Sequence, residues 1–383
     1  MRVALLFPPG WTVYSGGPHL ALPLLAGVLK ERGWDVDIRD LNAEAAARYV
    51  QAASLGDLQA SVQADTVDSL NTTYFREEEA LHRAAAQYGG NWDLRLGFTY
   101  QDLNPFSSRQ SLLAAEMESP FTEFYREQVV PGILATQPGV IALGIACIQQ
   151  MVPSLQLSRM LREAGCSAMI VLGGNTITRI ADTLTNPMLY RWINAFAVYQ
   201  GENTLLSLCE ATADGRGLAE VPNLLWWDGS SVRRNSMDNE VNPDTVPCPS
   251  FEGLDLQQYW GEPFLPVLSA RGCYHGRCAF CAIPFGWGER GFAGFRASEK
   301  VADDIEVLTE RHGIRNFKFV EEATSPTTLQ NLSREFDRRG AHVQWEAYVR
   351  LERAWIDTDL AEIVARGGMI KAYFGVELAG GSN

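Results

Sequence analysis

The chain has 383 residues, which is too many for one ordinary core and enough for two or three domains. Its 46% hydrophobic and 20% charged residues suit a protein that buries a core in water, and no apolar run is long enough to span a membrane. The 32 Lys and Arg against 46 Asp and Glu give a net charge of −14, which repels phosphate backbones. Composition therefore excludes a small binding module and disfavours nucleic-acid and membrane partners.

The N-terminal segment and the cysteines together indicate a reducing compartment. The apolar stretch 3–7 meets Pro8 too soon to form the core of a signal peptide, so we expect a cytoplasmic protein. Three of the seven cysteines lie within the nine residues 273–281. In a reducing compartment such a cluster favours metal ligation over disulfide bonds, so we expect the chemistry of the protein there.

Strand and helix patterns alternate through residues 1–235, which we predict to be one domain. Residues 43 to about 135 have helical composition and no convincing strand, so we predict a helical insertion there. The alternation is typical of a parallel, doubly wound, Rossmann-like α/β sheet, which gathers loops at one edge around a ligand. Strands are predicted at 3–7, 36–39, 140–145, 168–172 and 195–199, helices at 20–32, 153–164 and from about 202, a hairpin at 223–234, and ligand-facing loops at 8–19, 40–42, 147–152, 173–176 and 200–203.

A Pro-rich linker at 236–260 leads to a second predicted domain at 261–383. The pattern there repeats a βα unit and is typical of a partial barrel. Strands are predicted at 264–269, 316–320, 343–349 and 370–376, and helices at about 298–311, 326–339 and 357–366. The cysteine cluster directly follows the first of these strands.

The cysteine loop carries three thiols, Cys273, Cys278 and Cys281. Three thiolates can hold three corners of a cubane iron–sulfur cluster and leave the fourth iron for an outside ligand. Zinc is the first alternative: it wants four protein ligands, and His275 or the distant Cys248 could complete a set. Inert core cysteines are the second alternative, although buried structural cysteines are usually scattered.

The first domain lacks the motifs of the common nucleotide-binding folds. No Gly-x-Gly-x-x-Gly opens a helix, and no Gly-Lys-Ser/Thr phosphate loop follows a strand, which disfavours dinucleotides and nucleoside triphosphates. Gly173 and Gly174 would let backbone approach a large ligand closely, and the helix after them could receive a phosphate. An ordinary tight turn explains this glycine pair equally well.

The cysteine loop resembles the signature of the radical S-adenosylmethionine (SAM) superfamily, a Cys-x3-Cys-x2-Cys loop after the first barrel strand. The segments Ser269-Ala270-Arg271-Gly272-Cys273 and Cys278-Ala279-Phe280-Cys281 match that context, although four residues separate Cys273 from Cys278. The resemblance implies a [4Fe-4S] cluster on Cys273, Cys278 and Cys281, with SAM bound to the unique iron. It also implies that Phe280 packs near the adenine.

The same resemblance implies further SAM contacts at the strand ends. Glu321 or Glu322 would receive the amino group, although the glycines that the family has there are absent. Arg350 would pair with the carboxylate, and Glu377, in Gly375-Val376-Glu377, would lie near the ribose. Each carboxylate taken alone is more typical of a solvated loop, and their shared position at strand ends is what favours a site.

Standing before a radical SAM domain, the first domain resembles the cobalamin-binding domain of cobalamin-dependent radical SAM enzymes. The Asp-x-His-x-x-Gly motif that supplies a lower axial histidine in other cobalamin proteins is absent, and a lone His19 is more often structural. The matching segments are 6–9, 22–26, 40–42, 171–175 and 200–202. The implied cobalamin contacts are Pro9, His19, Asn42, Gln149, Gly173, Gly174, Asn175, Gly201 and Glu202.

The resemblance implies an enzyme that transfers a methyl group to an unactivated carbon, with the cluster, SAM and cobalamin as cofactors. It implies a small-molecule or peptide substrate and an external one-electron reductant such as flavodoxin or ferredoxin. Two rival functions are a cobalamin-dependent rearrangement or ring contraction without methyl transfer, and a non-catalytic, metal-stabilised binding protein. Family barrels usually have six βα units, so the four found here predict that part of the barrel is missing.

Overall fold

The computed structural model describes residues 1–10, 17–52, 92–93, 99–100, 107–238, 242–259, 262–283 and 292–376. The chain divides into two compact units, each built from two segments. The first unit comprises Met1–Asp238 and Ser250–Glu262, and the second comprises Asn239–Pro249 and Pro263–Asn383. No helix in the described ranges has both the length and the apolar character needed to cross a membrane.

The first unit contains a seven-stranded sheet in the order β2-β1-β3-β4-β5-β6-β7. The first five strands pair in parallel, whereas β6 and β7 add an antiparallel hairpin at one end. Because the chain leaves β1 on one side for β2 and returns on the other side for β3, the switch point of the fold lies between β1 and β3. The strands are β1 Arg2–Phe7, β2 Asp35–Asp40, β3 Val140–Gly144, β4 Met169–Gly173, β5 Ala195–Ala197, β6 Leu224–Trp227 and β7 Val232–Arg234.

Helices cover both faces of this sheet. In β1, Leu5 contributes to the core on one face of the sheet, and Leu6 contributes to a second core on the other face. Successive side chains of a strand point to opposite faces of the sheet, so a strand that is buried on both faces contributes to two cores. The helices are α1 Ala21–Glu31, α2 Leu41–Ala52, α3 Ser108–Glu116, α4 Val130–Thr136, α5 Met151–Glu163, α6 Asn175–Arg179 and α7 Gly201–Ala213, with helical Thr122–Phe124 and π-helical Tyr125–Val129 before α4.

The second unit contains a four-stranded parallel sheet in the order β8-β11-β12-β13 and a separate antiparallel pair, β9 and β10. The strands are β8 Leu265–Val267, β9 Ala270–Gly272, β10 Phe292–Phe295, β11 Asn316–Phe319, β12 Gln344–Arg350 and β13 Met369–Gly375. The helices are α8 Ser298–His312, α9 Pro326–Arg339, α10 Ala354–Asp357 and α11 Leu360–Arg366. The predicted parallel α/β class is confirmed for both units.

The two faces of the second sheet differ in chemistry. On the helix side, the fully buried Trp345 packs edge-on against Phe319 at 5.4 Å and donates from Nε1 to the Gly367 carbonyl at 2.7 Å. On the opposite side, Lys318 Nζ lies 2.9 Å from Glu346 Oε1 and 4.8 Å from the centre of the Tyr373 ring. Alternate residues of these strands therefore separate an apolar helix-facing core from a charged and aromatic face.

Some predicted boundaries match because local signals define them. Ser325 caps α9 by accepting from the Thr328 amide at 3.1 Å, Pro326 occupies the first turn, and Gly340 ends the helix at φ +63°. The predicted helix 326–339 is therefore the observed one. By contrast, the predicted helix 357–366 is two helices, Ala354–Asp357 and Leu360–Arg366.

The structure corrects two features of the predicted organisation. The insertion at 43–135 is not purely helical, because Trp92–Asp93 and Thr99–Tyr100 form a short antiparallel pair. Strands of two residues show no alternation that a sequence pattern could detect. The helix predicted at about 153 begins at Met151 and follows a turn of 3-10 helix at Ile148–Gln150, so the predicted loop 147–152 is shorter.

Candidate cofactor sites

The first candidate site is the loop edge at the switch point, where the carboxyl ends of β1 and β3 meet. Gln150, fully buried, donates from Nε2 to the Pro8 carbonyl at 2.7 Å. Its Oε1 accepts from the amides of Ala146 at 2.7 Å and Cys147 at 3.1 Å. This one side chain therefore joins the loops that follow the two central strands.

Two glycines are required for the close approach of these loops. A Cβ on Gly10, at φ +119°, would lie 2.8 Å from the carbonyl carbon of Gln149. A Cβ on Gly174, at φ +113°, would lie 2.6 Å from the carbonyl oxygen of Ile145. Both backbones occupy a region that is open almost only to glycine, so the packing of the edge depends on these two positions.

The structure brings most of the predicted cobalamin contacts to this edge. Asn42 is buried and accepts from the Gly10 amide at 3.2 Å, which ties the exit of β2 to that of β1. The Thr176 amide bonds the Ile145 carbonyl at 3.2 Å, which ties β4 to β3. Pro9 is buried, Gln149, Gly173 and Gly174 are half-buried, Asn175 is exposed, and Gly201 and the buried Glu202 open α7 after β5.

The chemistry of this edge fits a bulky ligand recognised without ion pairs. The exits of β1, β3 and β4, at 8–10, 145–150 and 173–176, contain no charged residue. They offer backbone groups, side-chain amides such as that of Gln149, and the glycine backbone at 173–174. A corrin with its many peripheral amides is a ligand of this kind, and the switch point of an open parallel sheet is where such folds bind ligands.

His19 occupies a structural position beside the edge. Its ring stacks on Phe7 with a centroid separation of 4.9 Å, and Nδ1 accepts from the Ala21 amide at 3.3 Å. This bond places the ring proton on Nε2, so the lone pair of the neutral imidazole is already engaged. Burial lowers the pKa of His19 to about 4, which keeps the ring uncharged at neutral pH. These contacts fit a helix-start residue better than an axial cobalt ligand.

The segment 250–259 belongs to the first unit and binds the outer edge of its sheet. The Tyr259 phenol, which is buried, donates to Asp40 Oδ2 at 2.8 Å, while Asp40 Oδ1 accepts from the Ala43 amide. Lys30 bonds Ser250 at 2.9 Å and Glu252 at 2.8 Å. Burial raises the pKa of Asp40 to about 6 despite these hydrogen bonds. Sequence analysis missed this contact because no local pattern relates residues so far apart.

We predict opposite pH dependences for the variants Asp40→Asn and His19→Asn. The folded pKa of Asp40 lies above its ordinary value of 3.8, so its effect on stability becomes less favourable as pH rises from about 4 to 6. Asp40→Asn removes this pH-dependent loss of stability. Between pH 4 and 6 its free energy of unfolding should therefore rise by on the order of 3 kcal/mol relative to that of the parent. The pKa of His19 in the folded protein lies below the ordinary value of 6.5. The contribution of His19 to stability therefore becomes less favourable as the pH falls from 6.5 to about 4.

Urea denaturation at pH 4, 5, 6 and 7 checks both signs. The free energy of unfolding of His19→Asn should rise relative to that of the parent as the pH falls. That of Asp40→Asn should rise relative to the parent as the pH rises. Equal differences from the parent at every pH would show that neither group has the shifted pKa given above.

The second candidate site is the cysteine loop of the second unit. Cys273 and Cys281 are half-buried, Cys278 is exposed, and all three are free thiols. The loop follows β9, and the Cys281 amide donates to the Cys278 carbonyl at 3.0 Å. The three thiols share one loop after a strand, but that strand belongs to the antiparallel pair and not to the parallel sheet, whose first strand, β8, ends at Val267.

The donor set fits a cluster better than a single ion. Among the described residues, no three His, Cys, Asp or Glu side chains converge in a way that would hold one metal ion. A cubane does not need such convergence, because each thiolate binds a different iron. The Cys248 thiol lies 3.7 Å from the Pro249 carbonyl oxygen and 3.9 Å from that of Asp304, within a different set of contacts. The zinc set with His275 or Cys248, which the sequence left open, stays an alternative hypothesis.

Arg350, the predicted partner of a carboxylate, is linked to this loop by a glutamate. Its Nη1 donates to Glu352 Oε1 at 2.7 Å, and the Tyr274 phenol donates to the same oxygen at 2.9 Å. The guanidinium carbon also lies 5.7 Å from the centre of the Tyr274 ring. Glu352 and Tyr274 are contacts of Arg350 that sequence analysis missed, although Tyr274 stands next to Cys273.

Glu321 and Glu322, which the sequence could not separate, have different surroundings. Glu321 is buried and accepts from the Ser269 hydroxyl and from Thr324 Oγ1, the latter at 2.8 Å. These bonds join the exits of β8 and β11, and burial raises the pKa of Glu321. Glu322 is half-buried and lies in the bend that follows β11, which ends at Phe319.

The two remaining predicted SAM contacts are Phe280 and Glu377, and the structure describes only Phe280. Phe280 lies beside Cys281 with 71% of its surface exposed, which is unusual for a large aromatic side chain. Glu377 lies outside the described residues, which end at Val376 in this part of the chain. The roles of Phe280, Glu322, Arg350 and Glu377 toward SAM stay predictions.

Comparison with known proteins gives two curated relatives with the same description. No protein-family model matches the chain. The chain is 24% identical over 317 residues to an anaerobic magnesium-protoporphyrin IX monomethyl ester cyclase of Rubrivivax gelatinosus, covering 78% of this chain and 54% of that protein. It is 24% identical over 267 residues to the cyclase of the same name from Cereibacter sphaeroides, covering 66% of this chain and 42% of that protein. The chain thus spans about half the length of the curated relatives it matches.

Solved structures show the same fold over nearly the whole chain. The cobalamin-dependent S-adenosylmethionine radical enzyme OxsB, with aqua-cobalamin and S-adenosylmethionine bound, has a TM-score of 0.63 and 15% identity, covering 98% of this chain and 44% of OxsB. The radical S-adenosylmethionine methyltransferase TsrM from Kitasatospora setae, with cobalamin and a [4Fe-4S] cluster bound, has a TM-score of 0.56 and 16% identity, covering 98% of this chain and 60% of TsrM. The chain therefore has the fold of the cobalamin-dependent radical SAM enzymes. The family resemblance predicted from the sequence is confirmed at this level.

Proposed function

We propose that this chain is a cobalamin-dependent radical SAM enzyme that transfers a methyl group to an unactivated carbon. The observation that carries the proposal is the single loop with Cys273, Cys278 and Cys281, which follows a strand of the second unit. The fold of TsrM, which is a methyltransferase with cobalamin and a [4Fe-4S] cluster, supports it. The exits of β1, β3 and β4 in the first unit, which contain no charged residue, add a separate place for a corrin.

In this proposal each cofactor has its own set of residues. The cysteine thiolates would hold the cluster, Arg350 would bind the SAM carboxylate, Glu322 its amino group, Phe280 its adenine and Glu377 its ribose. The loops at 8–10, 145–150 and 173–176, together with Asn42, Gly201 and Glu202, would hold cobalamin. When bound, the cluster supplies the electron that cleaves SAM, and the corrin carries the methyl group. We do not assign the axial position of cobalt to His19.

The residues of the chain itself would orient the cofactors, and different side chains would have separate roles. Glu321 is tied to Ser269 and Thr324, so it would hold strand ends and leave the amino group of SAM to Glu322. Glu352 would hold Arg350 in place while leaving the rest of the guanidinium to face a carboxylate. The substrate in this proposal is a small molecule or peptide, and the electron donor is an external reductant of the flavodoxin or ferredoxin type.

A second candidate function is ring formation or rearrangement without methyl transfer. Both curated relatives are named as cyclases, and neither name includes methyl transfer. The cofactor residues proposed above would serve this reaction equally. The two functions differ in whether SAM loses its methyl group.

Anaerobic reconstitution with iron, sulfide and hydroxocobalamin tests the proposal. We expect about four irons and one cobalt per chain, with the visible absorption of an iron–sulfur protein. Zinc without cobalt would overturn it and support a metal-stabilised binding protein. In the loaded protein with reductant and SAM, formation of S-adenosylhomocysteine supports methyl transfer. A full cofactor load that yields 5′-deoxyadenosine but no S-adenosylhomocysteine supports the cyclase-type reaction.

A further inference from the structure

One oxygen atom connects the cysteine loop to the end of a sheet strand. Glu352 Oε1 accepts from the Tyr274 phenol at 2.9 Å and from Arg350 Nη1 at 2.7 Å. Tyr274 is the residue after Cys273, whereas Arg350 is the last residue of β12. The Arg350 guanidinium also lies 5.7 Å from the centre of the Tyr274 ring, so the three side chains form a closed triangle.

The rest of the loop is less constrained. Residues 276–280 are exposed, and the Cys281 amide bond to the Cys278 carbonyl is local to the loop. An exposed segment of this kind loses conformational entropy when it binds a rigid ligand. A contact that orders the first thiol beforehand reduces that loss.

We propose that Glu352 is a positioning residue that fixes Cys273, through Tyr274, before any cofactor binds. The role of the loop in holding a cluster rests on the proposed function, whereas the ordering of Cys273 does not. The charge of Glu352 strengthens both hydrogen bonds, because a bond to an ionised acceptor is stronger than one between neutral groups. Glu352 thereby couples the position of Cys273 to that of Arg350 at the strand end.

Thiol alkylation of the cofactor-free 383-residue chain tests this coupling. In Tyr274→Phe the ring over Arg350 remains and the bond to Glu352 is lost. We expect iodoacetamide to label the half-buried Cys273 about tenfold faster, as the loss of a hydrogen bond to a charged acceptor predicts. The exposed Cys278 is an internal reference whose labelling rate should change less than about twofold. Mass spectrometry of tryptic peptides reads both rates from one sample.

Variants at Glu352 separate positioning from a general loss of structure. Glu352→Gln keeps an acceptor for Tyr274, so Cys273 should label more slowly than in Glu352→Ala. Tyr274→Phe combined with Glu352→Ala should label no faster than the faster single variant, because both changes remove the same bond. Tyr373→Phe is the matched control: it removes a phenol bond of 2.8 Å to Glu346 Oε2 in the same unit and should leave Cys273 unchanged.

Two results would overturn the proposal. One is an unchanged Cys273 rate in Tyr274→Phe. The other is a parallel rise at Cys273 and Cys278 with a lower melting temperature, which indicates general loosening. Iron content after reconstitution gives a separate readout: a protected Cys273 in a parent protein that binds no iron would reject the proposed function and retain the coupling. A normal iron load in a parent protein whose Cys273 is not protected would support the proposed function and reject the coupling.

Discussion

Cys278→Ala is expected to lower the iron content of the reconstituted protein from about four per chain to a small fraction of one. The physical reason is that a cubane held by three thiolates from one loop loses one of its three protein ligands when Cys278 is removed. Cys278 is also the most exposed of the three, so its loss should leave the fold intact. Iron and sulfide analysis with circular dichroism measures both quantities.

Cys248→Ala is the control for this experiment. The Cys248 thiol lies against the backbone oxygens of Pro249 and Asp304, and burial raises its pKa to about 12. Such a thiol is protonated at neutral pH and is a poor metal ligand. Cys248→Ala should therefore keep its iron. Retention of iron in Cys278→Ala, or its loss in Cys248→Ala, would contradict the assignment of the cluster to the loop.

Gly174→Ala should destabilise the first unit by about 3 kcal/mol or more, because the new Cβ meets a backbone carbonyl. The contact is with Ile145 O at 2.6 Å, and φ of +113° adds strain of its own. The exits of β3 and β4 must separate to admit the methyl group. We therefore also expect weaker binding of hydroxocobalamin, measured by spectrophotometric titration beside urea denaturation.

Gly165→Ala is the matched control for the conformational part of this effect. Gly165 has φ of +83°, and a Cβ there meets no atom within 4 Å. The cost should be about 1 kcal/mol, which is that of a left-handed backbone alone. Equal costs at the two positions would show that the β3 and β4 exits are not held in close contact. Unchanged cobalamin binding in a folded Gly174→Ala would remove this edge from the proposed site.

Sequence patterns predicted the features that local signals determine. The strand and helix order of the first sheet follows from runs such as Val140–Gly144, which are buried on both faces and contain no competing signal. The spacing of Cys273, Cys278 and Cys281 identified the chemistry of the loop, because thiol spacing is a property of the sequence itself. The fold that this family resemblance implies is confirmed.

Features that depend on distant contacts were not predictable in this way. The carboxylate of Asp40 bonds a phenol 219 residues away, and Glu352 lies 78 residues beyond Tyr274. Glu321 and Glu322 both lie beyond the end of β11 at Phe319, so strand alternation does not choose between them. The structure shows that Glu321 accepts from the Ser269 hydroxyl, and the assignment of Glu322 to SAM stays a proposal.

The division of the chain at residues 238, 249 and 262 limits how its parts can be exchanged. A gene fragment that stops at residue 238 encodes a first unit without Tyr259, so Asp40 loses the phenol that covers it. A fragment that starts at residue 263 lacks Asp244, whose carboxylate accepts from the Ala297 amide at 2.7 Å. No single division of the chain yields two intact units. Recombination, in nature or in chimeric enzymes, would therefore have to transfer both units together.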